Sequence, residues 1–506
     1  MLAAAGAYGA SCDSLAGLSL PNTKVTSATE VKDGSFTPPG QKQLTDLPPF
    51  CRVTGVIAPS SDSHIEFEVW MPVAGWNHKF QGVGNGGFAG DISYGSLAEA
   101  IKHAYATAST DTGHKASGID ARWALGHPEK IIDFGYRAIH ETAVQSKAII
   151  KAYYGEAPHR SYFASCSNGG RQALMEAQRY PADYDGIIAG APAYDWTGTM
   201  ADFVWDTLAL SAPGSHIPPA KMASLEAAVL ANCDQVDGVK DGVIDDPRRC
   251  TFNPASAVCA SGDSNNCLTA PQVETLKKIY SGAKGGTGFN MGGESGQGGW
   301  GLWVAGPAPG KSLQAIFATQ FYENMVINRA DWDMQTFDFD RDMKVVNEKM
   351  APILNATDPN LKAFKDRGGK LILFHGWADA ALPPEHTIKY YEAVRKAMGS
   401  KAADSFVRLY MMPGLQHCFG GPGPHYCGGL GAAEGDAVHD FSAAVEQWVE
   451  KGVAPSRMIA VKPAKEPDVH GPVARSRPVC PYPQEAVYKG SGSTDDAANF
   501  ACAARK

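Results

Sequence analysis

The sequence has no basic tract and no apolar run long enough to cross a bilayer, and these absences narrow its possible functions first. A formal net charge of −8 at pH 7 argues further against a nucleic-acid partner. No two cysteines form a CxxC pair, so the common thiolate zinc motifs are excluded. The stretch between residues 268 and 328 contains no arginine, which bears on ligands carrying a carboxylate. The balance of 44% hydrophobic and 19% charged residues is that of an ordinary globular chain.

Cysteine, by contrast, is present in quantity. Eleven cysteines fit an oxidising compartment better than a cytosolic one. The N-terminus MLAAAGAYGASC lacks a basic start and a full apolar stretch. It reads as the trimmed end of a signal peptide behind an added methionine, so a secreted or periplasmic protein is expected. Short separations suggest local bridges Cys233–Cys250 and Cys259–Cys267.

With 506 residues the chain exceeds what one core usually serves. HIEFEVWM (64–71) alternates as a strand does, and 79–83 and 104–109 are shorter strand candidates. Residues 133–154 have helical spacing and end before Gly155 and Pro158. A buried strand YFAS (162–165), a helix from Ser167 to Tyr180 and a buried strand GIIAGAP (186–192) follow. This rhythm predicts a mostly parallel sheet covered by helices. It stops near residue 195 and resumes at 359–367 (helix), 370–375 (strand), 385–398 (helix), 406–411 (strand) and 436–451 (helix). Between them lie helical patches near 220–231, 270–280 and 312–325 and a glycine-rich stretch at 281–301. The expected architecture is α/β, a core in two parts (1–195 and 346–506) interrupted by an inserted domain (196–345). An insertion leaving the carboxyl ends of the strands would cover the site where open α/β sheets place ligands.

Ser165-Cys166-Ser167-Asn168-Gly169 stands between a predicted strand and a predicted helix. A nucleophile elbow needs small residues two before and two after its serine, and Ser165 and Gly169 meet that need although G-x-S-x-G itself is not matched. The bland alternative for Ser167 is a helix N-cap. Asp379 follows the strand 370–375 and His417 follows 406–411, giving the order Ser, Asp, His of α/β-hydrolases. Ser167 is the expected nucleophile, His417 its base and Asp379 the group that orients the imidazole. Two backbone N–H donors are expected to form an oxyanion hole, one at Asn168 and one in QGVGNGGFAG (81–90) at Gly86 or Gly87. A dinucleotide reading of that loop fails for want of a helix directly after it and of a ribose-binding acid. His375, four residues before Asp379, either lines the pocket or packs at the strand end; His127 and His140 read as structural. Cys166 precedes the serine and Cys418 follows the histidine, so a bridge between them would fix the pair across a loop of about 250 residues, with a stabilisation on the order of 5 kcal/mol.

CDQVDGVKDGVIDD sets Asp234, Asp237 and Asp241 at close spacing, with Gly238 and Gly242 for sharp turns. Carboxylates mixed with the carbonyls of Val239 and Val243 suit Ca²⁺, although the spacing is not that of an EF-hand. The alternative is a solvated acidic loop.

The runs LPPFCRVTGVIAPS, FQGVGNGGFAG, YATASTDTGH, GHPEKIIDFGYRAIHET, SCSNGGRQALMEAQRYPADYDGIIAGAPA, CDQVDGVKDGVIDD, FHGWADAALPP and GLQHC, spread over nearly the whole chain, resemble the tannase and feruloyl esterase family. That resemblance implies the hydrolase core, the lid, the triad Ser167, Asp379 and His417 and the Cys166–Cys418 disulfide. It also implies structural calcium in the lid at Asp234, Asp237, Val239, Asp241 and Val243. Further implied bridges are Cys12–Cys51, Cys233–Cys250, Cys259–Cys267 and Cys480–Cys502, leaving Cys427 unpaired. The expected partner is a small aromatic ester, contacted in the lid by Trp303, Phe317, Phe321 and Tyr322.

Esters of hydroxycinnamic-type acids come first, because their phenolic end needs no cation. A terephthalate half-ester would call for an arginine, and the nearest cations are Lys311 and Arg329. A galloyl ester is the third reading within this class. Outside it stand an inactive binding module on the same fold and a calcium-dependent carbohydrate-binding protein.

Overall fold

Nine runs of alternating or continuous apolar residues build one sheet. They are β1 (Thr23–Val31), β2 (Phe50–Ile57), β3 (Ile65–Pro72), β4 (Lys79–Val83), β5 (Ala106–Thr110), β6 (Arg160–Cys166), β7 (Gly186–Gly190), β8 (Lys370–Gly376) and β9 (Val407–Met412). The computed structural model describes residues 10–504 apart from 284, 285, 467 and 470, so the expected signal-peptide remnant at 1–9 lies outside the described residues.

The sheet order is β1-β2-β3-β5-β4-β6-β7-β8-β9. β1, β2, β3 and β5 pair antiparallel, and from β5 through β4 to β9 every pairing is parallel. The expected α/β core is therefore present. Its parallel strands are buried on both faces, which is why they read as unbroken apolar runs. Side chains alternate between those faces. Phe163, Leu371 and Leu373 join the core beneath the helices Ala138–Tyr154 and Asn168–Arg179, whereas Tyr162, Ala164, Ile372 and Phe374 face the helix Phe441–Lys451. β1 and β2 lie outside the strands expected above; β1 is an edge strand in which a bulge between Val25 and Ser27 sets its two core residues, Val25 and Ala28, out of two-residue alternation.

Between β7 and β8 the described chain is helix and loop. The helix Trp196–Ser211 opens this stretch and is apolar on nearly every side, so it shows no stripe for periodicity to detect. Met222–Cys233, Ala270–Ser281 and Leu313–Phe321 match the three expected helical patches. The helix Phe339–Leu354 runs across the expected boundary at 345, and its Val346, Met350 and Leu354 pack with Phe134 and Trp196. The second hydrophobic cluster thus draws on both the core and the insertion. After β9, two antiparallel pairs finish the chain: β10 (Met458–Pro463) with β11 (Val473–Val479), and β12 (Glu485–Tyr488) with β13 (Phe500–Ala503).

Five disulfides are formed: Cys12–Cys51, Cys166–Cys418, Cys233–Cys250, Cys259–Cys267 and Cys480–Cys502. Cys427 is free and buried.

Close helix–sheet packing explains one glycine. A Cβ at Gly170 would stand 2.4 Å from the carbonyl of Gly190 at the end of β7 and 2.9 Å from Pro192. Gly170→Ala is expected to destabilise the fold by about 1–3 kcal/mol, as overpacking does. Gly95→Ala, where an added Cβ meets nothing, should leave the thermal midpoint unchanged or raised. Calorimetry of the two variants checks the contrast.

Candidate active site

At the carboxyl end of β6 the chain turns sharply into the helix Asn168–Arg179, and Ser167 stands on the turn. Its backbone is held at φ 65° and ψ −127°, a conformation that L-residues rarely adopt. Three backbone hydrogen bonds lock it there: Ser167 N–H donates to Gly190 O, and Ser167 O accepts from Arg171 N–H and Ala193 N–H. The neighbours are small for a steric reason. A Cβ on Gly169 would stand 1.9 Å from Ser165 Oγ, and one on Gly84 would stand 2.8 Å from it. Ser165 occupies the place where the usual motif has glycine because two glycines opposite leave it room.

The structure brings Ser167, Asp379 and His417 together. His417 Nε2 lies 2.9 Å from Ser167 Oγ, and His417 Nδ1 lies 2.8 Å from Asp379 Oδ2. With Nδ1–H donating to the carboxylate, Nε2 is left to accept from the serine hydroxyl. The other oxygen of Asp379, Oδ1, accepts from Ala381 N–H at 2.7 Å and Leu382 N–H at 2.9 Å. Burial pushes the Asp379 carboxyl pKa upward, but the neighbouring His417 and the hydrogen bonds from His375 and His417 outweigh it. The group is held well below the usual carboxylate range. The Cys166–Cys418 disulfide, with Cα atoms 5.9 Å apart, joins the residue before Ser167 to the residue after His417.

His375 is not a pocket residue. It is fully enclosed, with Nε2 3.1 Å from Asp379 Oδ2 and Nδ1 2.7 Å from Thr387 Oγ1. Nε2–H donates to the carboxylate, so the Thr387 hydroxyl donates to Nδ1. This histidine therefore orients the acid from behind. Phe321 and Tyr322 also depart from expectation: both are buried inside the insertion, where Tyr322 stacks on Trp332. Phe321 shares the helix face of Phe317 but lies one turn further along, fully enclosed in the same cluster, and Tyr322 is one residue beyond it. Trp303 and Phe317 do reach it. The Trp303 ring meets the His417 ring edge-on at 5.3 Å and stacks on Phe317 at 5.9 Å. Phe317 also contacts Phe88, next to the glycine loop, at 5.1 Å.

That loop is stitched to the elbow. Asn85 N–H donates to Gln172 Oε1 at 3.0 Å, and Asn168 Nδ2 donates to Asn85 O at 3.3 Å. Gly86 and Gly87 follow directly, Gly87 with φ +54° and no space for a Cβ against Gly118 O. Behind Asn168 lies a residue that the sequence did not mark, Arg171. It is fully buried, and its guanidinium donates to Asn168 Oδ1 and to the carbonyls of Gly135, Leu354 and Phe134. Burial lowers its pKa to about 9. The insertion also touches the triad loops. Gln416 Nε2 donates to Gly293 O at 3.2 Å, and a Cβ on Gly293 would stand 2.5 Å from Ala378 O.

The acidic loop packs behind the triad loops: Val243 Cγ1 lies 3.2 Å from where a Cβ on Gly414 would stand, and Ile244 shares a buried cluster with Ala380. Asp237-Gly238-Val239 and Asp241-Gly242-Val243 form two successive turns, in which Asp237 Oδ1 accepts from Val239 N–H at 2.8 Å and Asp241 Oδ1 from Val243 N–H at 3.2 Å. Gly238 and Gly242 both have positive φ. Asp234 Oδ1 accepts from the N–H groups of Asp241 and Gly242. Arg477 and Arg475 of β11 pair with Asp241 Oδ2, which ties the loop to the C-terminal strands. Asp234 is buried, and among the described residues no cation pairs with it. A buried carboxylate without a protein cation, beside hard oxygen donors, fits a calcium ion.

Known proteins share this sequence and fold. The family described as tannase and feruloyl esterase matches residues 51–503. An uncharacterized esterase of Xanthomonas campestris is 44% identical, with 97% of this chain and 91% of that protein covered. A mono(2-hydroxyethyl) terephthalate hydrolase of Piscinibacter sakaiensis is 34% identical over 92% of this chain and 87% of its own length. The crystal structure of feruloyl esterase B from Aspergillus oryzae superposes with a TM-score of 0.88 at 28% identity, covering 97% of this chain and 99% of that one. Sequence and fold agree over almost the full length: the chain belongs to the tannase and feruloyl esterase family.

Proposed function

We propose that the protein is a serine carboxylesterase that hydrolyses esters of hydroxycinnamic-type aromatic acids through an acyl-enzyme. The observation that carries this reading is the Ser167–His417–Asp379 hydrogen-bond chain on a strained elbow beneath the Trp303–Phe317 pair. Ser167 Oγ attacks the ester carbonyl while His417 Nε2 takes its proton. The N–H groups of Asn168 and of Gly86 or Gly87 stabilise the oxyanion. The tetrahedral intermediate collapses to a Ser167 ester as His417 returns the proton to the leaving alcohol. Water, activated by His417, then releases the acid and restores Ser167.

The insertion acts as the lid, and its aromatic face against His417 accepts the ring of the acid. Arg329, the cation nearest to the arginine-free stretch, is exposed and pairs with Asp331, and Lys311 is exposed as well. A terephthalate half-ester would leave its free carboxylate without a partner there, whereas a phenol needs none. The five disulfides fit a secreted or periplasmic location.

Calcium is held by Asp234, Asp237 and the carbonyls of Val239 and Val243, with Asp241 at its edge. The ion would offset the loop's negative charge and stiffen the lid, with no part in the chemistry.

Ser167→Ala is expected to abolish turnover, and Asp379→Asn to lower kcat by about 10³–10⁴-fold with little change in KM. Measurable hydrolysis by Ser167→Ala would exclude the mechanism. Among methyl ferulate, methyl gallate and mono(2-hydroxyethyl) terephthalate, kcat/KM should be highest for the first; a preference for the third would reassign the substrate. The double variant Cys166→Ala/Cys418→Ala should lose activity while keeping its calcium, and unchanged kcat would reduce the bridge to a stabilising staple. Metal analysis should find one calcium per chain, and chelation should lower the melting temperature before it alters kcat.

A further inference from the structure

A second cluster lies at the end of the sheet opposite Ser167. β4 and β6 are parallel neighbours whose first residues, Lys79 and Arg160, are in register. Just before them stand His78 and His159, joined by a hydrogen bond from His159 N–H to His78 O of 2.8 Å. Neighbouring strands lie about 4.8 Å apart, so the backbone itself sets two imidazoles side by side. Their rings lie 4.9 Å apart with 10° between planes. Glu156, in the turn after the helix Ala138–Tyr154, reaches both. Its Oε1 is 2.9 Å from His78 Nδ1 and its Oε2 is 3.5 Å from His159 Nε2. One ligand atom from each of the three side chains lies within 4.8 Å of the others.

We propose that His78, Glu156 and His159 bind a divalent transition-metal ion of the zinc class. Two imidazoles and one carboxylate suit zinc, nickel or copper rather than calcium, which takes oxygen ligands. In a tetrahedral zinc site with bonds of about 2.0–2.2 Å, adjacent ligand atoms stand about 3.4 Å apart, close to the separations here. The side chains are 48–63% exposed, so an ion can enter from solvent and keep water in its remaining position. His78 holds φ +61°, in the left-handed region. The ion would clip together the amino ends of β4 and β6, whose carboxyl ends carry the glycine loop and Ser167. Ligation requires neutral imidazoles, so binding weakens in acid.

Equilibrium dialysis against micromolar zinc near neutral pH, with calcium present for the acidic loop, tests this. The wild-type chain should bind one zinc equivalent that the double variant His78→Asn/His159→Ala lacks, and Glu156→Gln should bind it about tenfold or more weakly. Asparagine at 78 tolerates the left-handed backbone, so the variant keeps its fold. Ser167 lies about 25 Å away along β6, so the metal-free double variant should keep wild-type kcat on a chromogenic ester. Equal zinc uptake by wild type and double variant, or no uptake by wild type at high-micromolar zinc, would overturn the assignment and leave an ordinary surface pairing of histidines with a glutamate.

Discussion

Ser167 Oγ and His417 Nε2 meet at 2.9 Å although 250 positions separate them in the chain. Such a hydrogen bond contributes only about 1 kcal/mol net, too little to hold two loops in place. Both loops also carry unfavourable backbone geometry, with Ser167 at φ 65° and Cys418 at φ 67°. Residues in such conformations cost on the order of 1–3 kcal/mol each and persist only where their surroundings over-determine them. The Cys166–Cys418 bond supplies one such constraint on both loops at once. The bond that Ser167 N–H donates to Gly190 and those that Ser167 O accepts from Arg171 and Ala193 supply another. The serine is thus presented by the end of β7 and its own helix, and the histidine is tied covalently to the serine's neighbour.

Two buried charges of opposite sign complete the support, and they do not pair with each other. Asp379 keeps its charge because His417, His375 and two backbone N–H groups all donate to it. Its pKa lies below that of an unfolded aspartate, so the ionised form favours the folded state at every pH above the ordinary value of about 3.9. That contribution fades only as pH falls through the folded pKa. Arg171 shows the converse. It is fully buried without a carboxylate partner and is satisfied by three carbonyls and the Asn168 side chain. Because Asn168 in turn donates to Asn85 O, this cation reaches the glycine loop through one side chain. The end of β7, His375 and Arg171 thus support the serine, the acid and the glycine loop from behind.

What was legible in the sequence follows from this physics. Parallel strands buried on both faces leave continuous apolar runs, so β6, β7, β8 and β9 could be read within a residue or two. The order of Ser167, Asp379 and His417 was legible because each follows such a strand. The edge strand β1 and the helix Trp196–Ser211 were not, since a bulge breaks the alternation of one and the other lacks an exposed face. His375 could be located but not oriented: only the fold shows that Thr387 and Asp379 lie on either side of its ring. Phe321 and Tyr322 fail for the same reason. In an insertion without long periodic elements, an aromatic residue close to Phe317 in sequence says little about which way its ring points.

The insertion is where this chain can differ in specificity while keeping the same core. Its contacts with the triad loops include Gly293 against Ala378, Gln416 with Gly293, Val243 beside Gly414 and the Trp303 ring against His417. Because Gly293 has no space for a side chain, the insertion sits at a fixed height above the acid loop, and Trp303 inherits that height. An aromatic wall held there discriminates by shape and by the face of a ring, not by charge. Reading a distal carboxylate would need a planar cation facing the same space. The first arginine after the insertion's arginine-free stretch, Arg329, lies on the surface beside Asp331, beyond the wide final turn Tyr322–Ile327. Turning it inward would require unwinding that turn and burying a charge whose present partner lies outside. The surroundings of Trp303 therefore support the proposed neutral distal end on the acid, and bringing Arg329 to face it would take a rebuilt helix end rather than one exchanged side chain.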